Sequence, residues 1–212
     1  MAATDNAAEQ AAHIAEKIRA GKTTLGIEFG STRIKAVLID DNFQTIASGD
    51  YSWASHLEDG LWSYTTEEIW GGLQSAYASM ANDVETAYGE KLTHVGHIGF
   101  SAMMHGYLAF GKDGELLVPF RTWQNTNTSE AHEKLSELFQ YNIPERWSIA
   151  HLYQAVLNKE EHVSKVAYFT TLAGYVHWKL TGKNALTNEK LNTWLEGLTE
   201  NMEATQGAGV KY

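Results

Sequence analysis

The chain has 212 residues, of which 43% are hydrophobic and 20% charged, and this balance predicts a globular protein with a real core. Its formal net charge of −10 argues against binding to the phosphate backbone of nucleic acid or to an anionic membrane. The absence of cysteine excludes disulfides and thiolate chemistry. We therefore expect a cytoplasmic protein with a small neutral ligand and with no nucleic-acid or membrane partner.

The first predicted element is an alanine-rich helix over residues 4–20 that ends at Gly21. Because its apolar stripe is loose, we expect residues 1–22 to be a solvent-exposed extension outside the core. Turn signals then separate three strand-like runs, Thr24–Glu28, Arg33–Asp40 and Thr45–Tyr51. This spacing is typical of an antiparallel meander.

The clearest helix signal follows the meander. Thr65 and Glu68 form a capping box, apolar residues then recur three and four apart, and Gly89 predicts the end of the helix. Leu92–Phe100 next predicts a buried strand, and residues 101–106 predict a loop at its end.

The second half of the chain predicts a hairpin and then helices. Two short runs, Tyr107–Phe110 and Glu115–Val118, flank the turn sequence Lys-Asp-Gly. Helical patterns follow over Ser129–Phe139, Ile149–Leu157 and Thr171–Leu180. This order predicts the α/β class with a mixed sheet. Residues 184–212 are polar and weakly patterned, so we expect a loose helix or disorder there.

The first motif that can carry chemistry is EFGSTRIK. Glu28 ends the first predicted strand, and Arg33 and Lys35 lie on one face of the second because side chains alternate along a strand. A glycine and two hydroxyl residues form the turn between them: Gly30, Ser31 and Thr32. Such a turn leaves backbone amides free to face an anion, with an acid nearby to hold hydrated magnesium. An ordinary tight hairpin explains the same pattern.

The second motif, GFSAMMHG, lies at the end of a predicted strand, where α/β proteins bind ligands. His105 can supply one hydrogen bond to a polyol, and Met104 can supply one apolar wall. The alternative is a structural histidine.

The third motif is the segment 119–128, in which amide and hydroxyl side chains surround one indole. Trp123, with Gln124 and Asn125 beside it, suits a sugar site that stacks on the ring and forms hydrogen bonds. A polar loop leading to a helix N-cap at Thr128 is the alternative.

In order and spacing, these motifs resemble the N-terminal domain of the FGGY carbohydrate kinases, and they are most similar to xylulokinase-like members. The resemblance rests on EFGSTRIK, GFSAMMHG, KDGELL and PFRTW, and it covers residues 23–183. It implies a ribonuclease H-like, actin-like ATPase fold with a mixed sheet flanked by helices. In that fold two domains hold ATP and a sugar between them.

The resemblance also implies a role for each motif. Residues near the transferred phosphate and its metal would be Glu28, Gly30, Ser31, Thr32, Arg33 and Lys35, with Glu28 as the metal ligand. Residues around the sugar would be Met104, His105, Trp123, Gln124 and Asn125. The implied cofactors are ATP and Mg²⁺, and the implied reaction is phosphorylation of a ketopentose such as xylulose. A non-catalytic sugar-binding or interaction domain derived from such a kinase is the alternative.

The sequence departs from the family pattern in three places. Glu28 replaces the usual aspartate, and Trp-Gln-Asn-Thr-Asn replaces a W-N-D-x-R pattern, which leaves the identity of the sugar open. After Lys183 we find no match to the glycine-rich segment with the catalytic aspartate, nor to the second domain that binds ATP. We therefore expect an N-terminal part that is inactive alone, and an uncovered interdomain face that favours a homodimer.

Overall fold

The computed structural model describes residues 2–183, with side chains from residue 8 onward. The predicted tail, residues 184–212, lies outside this range. The helices are α1 (Ala2–Arg19), α2 (Thr66–Tyr88), α3 (Ser129–Phe139), α4 (Ser148–Leu157) and α5 (Leu172–Thr181), with a short 3₁₀ helix at Glu161–Lys165. The strands are β1 (Thr23–Phe29), β2 (Arg33–Asp40), β3 (Thr45–Ser52), β4 (His56–Glu58), β5 (Leu61–Ser63), β6 (His97–Ala102), β7 (Leu108–Phe110) and β8 (Tyr168–Thr170).

The main sheet has the order β3-β2-β1-β6. Strands β1, β2 and β3 pair antiparallel, which confirms the predicted meander, and β6 pairs parallel to β1, which makes the sheet mixed. Alternate residues of β2 face the core, where Ile34, Ala36 and Leu38 are fully buried. The α/β class with a mixed sheet is therefore as the sequence predicts.

Helix α2 covers one face of this sheet. Its capping box is formed as predicted: the Thr65 hydroxyl accepts from the Glu68 amide, and the Glu68 carboxylate accepts from the Thr65 amide. The helix ends at Gly89, in the left-handed region. A Cβ at Gly49 would lie 2.3 Å from the Ala76 carbonyl oxygen, so glycine on β3 permits the helix to lie directly on the strand.

The expectation that the N-terminal helix lies outside the core is wrong. Ile18 is 2% exposed and belongs to the main hydrophobic core, and Ala15 is also buried. Lys17 donates to the Asp40 carboxylate at 2.8 Å, which lowers the pKa of Asp40 to about 2. The loose stripe is sufficient because, among the side chains of α1 described from residue 8 onward, the buried ones lie within a single turn, Ala15 to Ile18. The boundary at residue 22 stays a prediction.

The predicted buried strand Leu92–Phe100 is also wrong in extent and in burial. The strand runs over His97–Ala102, at the edge of the sheet, and Ile98 is 57% exposed. Within the described residues, β6 has only one neighbouring strand, β1, so apolar content alone did not bury it.

The second half of the described chain follows the predicted helices within a residue or two. The predicted hairpin is formed only in part: Gly111 donates to the Glu115 carbonyl and Leu117 to the Ala109 carbonyl, but the second arm makes a single bridge, not a strand. The ladder partner of β7 is β8 instead. No helix within residues 2–183 is long and apolar enough to cross a membrane.

Candidate functional site

Two aromatic residues donate hydrogen bonds to the carbonyls of the turn between β1 and β2. Trp53 donates its indole N–H to the Gly30 carbonyl at 2.8 Å and its amide to the Thr32 carbonyl at 3.2 Å, and Tyr64 donates its hydroxyl to the Ser31 carbonyl at 2.6 Å. Ser31 and Thr32 are exposed. All three turn carbonyls are therefore occupied, while the two hydroxyl residues of the turn face solvent.

Gly30 is required by a close approach in this turn. Its amide donates to the Arg33 carbonyl at 3.0 Å, and a Cβ at Gly30 would lie 3.0 Å from that same oxygen. This distance is tighter than most Cβ contacts, so a side chain here would push the two strands apart.

The charged residues of the hairpin are paired and solvent-exposed. Arg33 and Lys35 share a face of β2, as predicted, and each contacts a carboxylate: Arg33 with Asp50 at 3.2 Å and Lys35 with Glu28 at 3.6 Å. Glu28 and Lys35 also line an open groove of about 370 Å³ together with Ser101 of β6. The sheet therefore presents a carboxylate, an amine and a hydroxyl on the face opposite α2.

A metal site built wholly from protein ligands is absent from the part of the chain whose side chains are described, since no group of three Asp, Glu or His could hold an ion there. Glu28 is a single carboxylate. Mg²⁺ usually keeps several waters and binds through one or two carboxylates plus substrate phosphates. One exposed carboxylate fits that mode of binding.

The loop after β6 carries the predicted Met104 and His105. Met104 is 73% exposed and His105 is half-buried. Burial, followed by the positive charge of Arg146, lowers the pKa of His105, so its ring is neutral near pH 7. A neutral imidazole can both donate and accept a hydrogen bond, which suits a hydroxyl ligand.

Gly106 fixes the end of this loop. Its φ of 105° lies in the region that favours glycine, and a Cβ would lie 2.8 Å from the Arg121 carbonyl oxygen. Its amide donates to the Arg146 carbonyl at 3.1 Å, and its carbonyl accepts from the Ser148 hydroxyl. The loop is thereby tied to two other segments.

Segment 121–125 is the most tightly held part of the site. Asn125 is buried and makes three bonds: its side chain accepts from the Trp62 amide at 2.8 Å and donates to the carbonyls of Trp62 at 2.9 Å and Thr122 at 3.1 Å. Gln124 accepts from the Ser55 hydroxyl. Trp123, between them, is 42% exposed. The amide residues hold the loop, and the loop presents the indole.

An open cavity of about 690 Å³ lies beside Trp123. Its lining includes Thr126, His132, Glu145 and Arg146. Glu145 accepts from the Ser129 hydroxyl at 3.0 Å, and His132 contacts the Ile143 carbonyl at 2.6 Å. His132 belongs to α3, and Glu145 and Arg146 lie just before α4. These three residues were not predicted, because no sequence motif links them.

The structure brings the first two predicted motifs to one end of the sheet. Phe29 and Ala102 are opposite each other at the carboxyl ends of the parallel strands β1 and β6. The turn 30–32 and the loop 103–106 therefore begin at the same end of the sheet. Tyr64 connects the turn to the segment 119–128, since its ring stacks on Trp53 at 4.3 Å and contacts Phe120 at 6.2 Å.

With this geometry, the chain belongs to the FGGY family of carbohydrate kinases: the model of the family's N-terminal domain matches residues 23–192. A xylulose kinase from Staphylococcus xylosus is 23% identical over 173 residues, which cover 74% of this chain and 34% of that protein. A xylulose kinase from Bacillus subtilis (strain 168) is 21% identical over 169 residues, covering 76% and 33%. The chain thus spans about a third of the length of these relatives.

Solved structures of the same family share the fold. A gluconate kinase from Lactobacillus acidophilus superposes with a TM-score of 0.64 at 20% identity, over 82% of this chain and 39% of that one. A ligand-bound xylulose kinase from the same organism superposes with a TM-score of 0.63 at 19% identity, over 82% and 40%. These similarities confirm the predicted actin-like, ribonuclease H-like fold and the resemblance to sugar kinases.

Proposed function

We propose that this chain is the sugar-binding part of a kinase that transfers the γ-phosphoryl group of ATP to a primary hydroxyl of a ketopentose such as xylulose. The observation that carries the proposal is that the turn 30–32 and the loop 103–106 follow the carboxyl ends of the adjacent parallel strands β1 and β6. Ligands of open α/β sheets bind outside the carboxyl ends of the strands. The names of the similar proteins support a sugar as the acceptor.

On the sugar side, Trp123 would provide a flat apolar surface for the carbon skeleton, and His105 would bond one hydroxyl. Met104 is exposed beside His105 and would form an apolar wall. The three bonds of Asn125 and the bond of Gln124 keep the loop in place, so their predicted part in binding is best explained as support for Trp123.

On the phosphate side, the hydroxyls and amides of Ser31 and Thr32 would face the transferred group, since the Gly30 amide is held by the Arg33 carbonyl. Arg33 or Lys35 would leave its carboxylate partner to contact a phosphoryl oxygen. ATP would supply the phosphoryl group, and Mg²⁺ would neutralise charge on its oxygens. Glu28 is the residue that would hold the hydrated ion. Freed from Glu28 in this way, Lys35 would have its ammonium available to the phosphoryl group.

The 212-residue chain alone would bind sugar without phosphorylating it. The carboxylates of the described site are all engaged: Glu28 contacts Lys35, Asp50 contacts Arg33, and Glu145 accepts from Ser129. The alternative of a non-catalytic sugar-binding domain shares this prediction. A cytoplasmic location and a homodimer stay predictions, the second supported by the exposed edge strand β6.

Calorimetric titration with D-xylulose tests the proposal. We expect heat of binding from the wild-type chain. The affinity of Trp123→Ala should be at least tenfold weaker, because the stacking of the sugar on the indole is lost. Trp62→Ala is the matched control, since Trp62 is 38% exposed but does not line the cavity, and it should bind normally. No heat with the wild-type chain, or equal loss in both variants, would contradict the proposal.

A further inference from the structure

Five side chains, all buried except the partly exposed Glu160, form a polar cluster next to the loop 103–106 and the segment 121–125. Arg121 and Glu160 form a two-bond ion pair, and the Tyr107 hydroxyl lies 3.0 Å from Nε2 of His162. Nδ1 of His162 lies 3.5 Å from the Glu160 carboxylate. His151 stacks on the Tyr107 ring with centroids 6.3 Å apart, and Arg121 lies over that ring at 5.5 Å. We call these five residues the histidine clamp.

The two histidines of the clamp are poorly suited to carry charge. His151 is fully buried, and neither ring nitrogen has a hydrogen-bond partner in the described part of the chain. Burial first, and then the charge of Arg121, lowers the pKa of His151 to about 4, against a smaller opposing effect of Glu160. Burial and then the charge of Arg121 also lower the pKa of His162, against a smaller opposing effect of Glu160.

The clamp joins the loop 103–106 to the segment 121–125, of which Trp123 and Asn125 line the cavity. Tyr107 follows His105 by two residues, and Arg121 precedes Trp123 by two. The backbones of Tyr107 and Arg121 exchange both hydrogen bonds, at 2.8 and 3.1 Å. Any movement of the Arg121 and Tyr107 side chains is therefore transmitted to both predicted sugar contacts.

We propose that the histidine clamp positions the loop 103–106 and the segment 121–125, and that protonation of its histidines in acid releases both segments while the sheet stays folded. The groups that face the histidines are Tyr107, just before β7, Arg121, in the segment 121–125, and Glu160, between α4 and the 3₁₀ helix. A proton on either ring adds a second cation beside Arg121, with one carboxylate to balance both. That the released segments bind sugar rests on the proposed function; the release itself does not.

The expected size of the effect follows from linkage. An opened clamp returns His151 to its ordinary pKa near 6.5, while the closed clamp keeps it neutral down to about 4. The closed state is therefore fully favoured above pH 6.5 and loses its advantage as the pH falls. Between pH 8 and pH 5, the opening equilibrium should increase roughly thirtyfold from His151 alone.

Native-state hydrogen exchange at pH 8 and pH 5 tests this proposal. After correction for intrinsic rates, the protection of the Tyr107 and Arg121 amides should fall about thirtyfold at pH 5. This exchange should depend little on low urea concentrations, which marks a local opening, whereas Met80 and Val84 of α2 should show the full urea dependence of global unfolding. A full urea dependence at Tyr107 and Arg121 would overturn the proposal.

The variant His151→Leu sharpens this test, because it removes a titrating ring without removing a hydrogen bond. It should fold at pH 8 and lose most of the pH dependence of the Tyr107 and Arg121 amides. The control His13→Leu, on the exposed side of α1, should retain it. An unchanged pH dependence in His151→Leu would contradict the clamp. If that variant does not fold, His162→Gln and the urea dependence of the wild-type chain decide.

Sugar binding separates the two proposals. D-xylulose should bind at pH 8, and its affinity at pH 5 should fall by the factor 1 + K, where K is the opening equilibrium that hydrogen exchange measures at pH 5, under conditions where circular dichroism shows a folded chain. If D-xylulose binds at neither pH but the amides exchange as expected, the proposed function fails and the clamp stands. If binding is normal and the exchange is independent of pH, the clamp fails.

Discussion

The hairpin β1–β2, where we propose that phosphate binds, keeps its charged side chains in solvent, whereas the segment 121–125, which we propose contacts the sugar, is largely buried and hydrogen-bonded. Arg33 and Lys35 are about half-exposed, and their ion pairs span 3.2 and 3.6 Å. Arg121, Thr122 and Asn125 are all buried. Exposed ion pairs contribute little to stability, while buried polar groups are costly to leave unpaired.

This difference indicates that the two halves reach their binding geometry in different ways. The segment around Trp123 is already in place without a ligand, because Asn125 and the Tyr107–Arg121 bridge fix this loop. The side chains of the hairpin can exchange partners at little cost, since their carboxylate contacts are weak. The following changes should therefore have large effects on one side and small effects on the other.

Gly106→Ala should have the largest effect. The residue would keep a φ of 105° and place its Cβ 2.8 Å from the Arg121 carbonyl, so we expect a loss of about 3 kcal/mol in the free energy of unfolding. Urea denaturation followed by circular dichroism measures it. Gly60→Ala is the control, because Gly60 also has positive φ but a Cβ there meets nothing within 4 Å. Equal losses in both variants would contradict the packing argument.

Asn125→Ala should rank next. It removes three hydrogen bonds in a buried position and leaves the Trp62 amide without its partner, at a cost of about 2 to 3 kcal/mol, while the carbonyls of Trp62 and Thr122 keep the backbone amides of Thr122 and Asn125. Asn127→Ala, at an exposed position in the same loop, should change stability by less than about 0.5 kcal/mol. A thermal midpoint for Asn125→Ala equal to that of the control would refute the account of this loop.

Gly30→Ala should have an intermediate effect. The new Cβ would lie 3.0 Å from the Arg33 carbonyl, and the turn must shift by a few tenths of an ångström, so we expect a loss of about 1 kcal/mol. Amide shifts in NMR spectra should be confined to the turn and to Trp53 and Tyr64, which hold it. Shifts spread through segment 121–125 would show that the two halves are not built independently.

Lys35→Ala should have the smallest effect on stability, less than about 0.5 kcal/mol, because its ion pair with Glu28 is exposed. Chemical denaturation at low and at high salt checks this expectation. A loss above about 1 kcal/mol in the free energy of unfolding would mean that ion pairs stabilise the hairpin, and it would contradict the weak carboxylate contacts inferred for it.

The features that the sequence predicted correctly are local. The capping box of Thr65 and Glu68, the end of α2 at Gly89 and the alternation along β2 depend on residues a few positions apart. The order of the family motifs could also be recognised in the sequence, and the resemblance to the family predicted the fold.

The features that the sequence did not predict depend on contacts between distant segments. Ile18 is buried by a sheet whose strands lie further along the chain, and Asn125 is held by Trp62, 63 residues away. The exposure of β6 is set by its place at the sheet edge, not by its composition. Arg146 reaches the cavity through the packing of α3 and α4, for which no short motif exists.

An NMR titration of the ¹⁵N-labelled chain with D-xylulose tests the central claim most directly, with the Trp123 indole signal assigned from Trp123→Phe. We predict that the sugar shifts this indole signal and the amides of residues 104–106 and 122–126, while the amides of the turn 30–32 stay unchanged. Shifts centred on the turn, or no shifts at millimolar sugar, would contradict a preformed sugar site around Trp123.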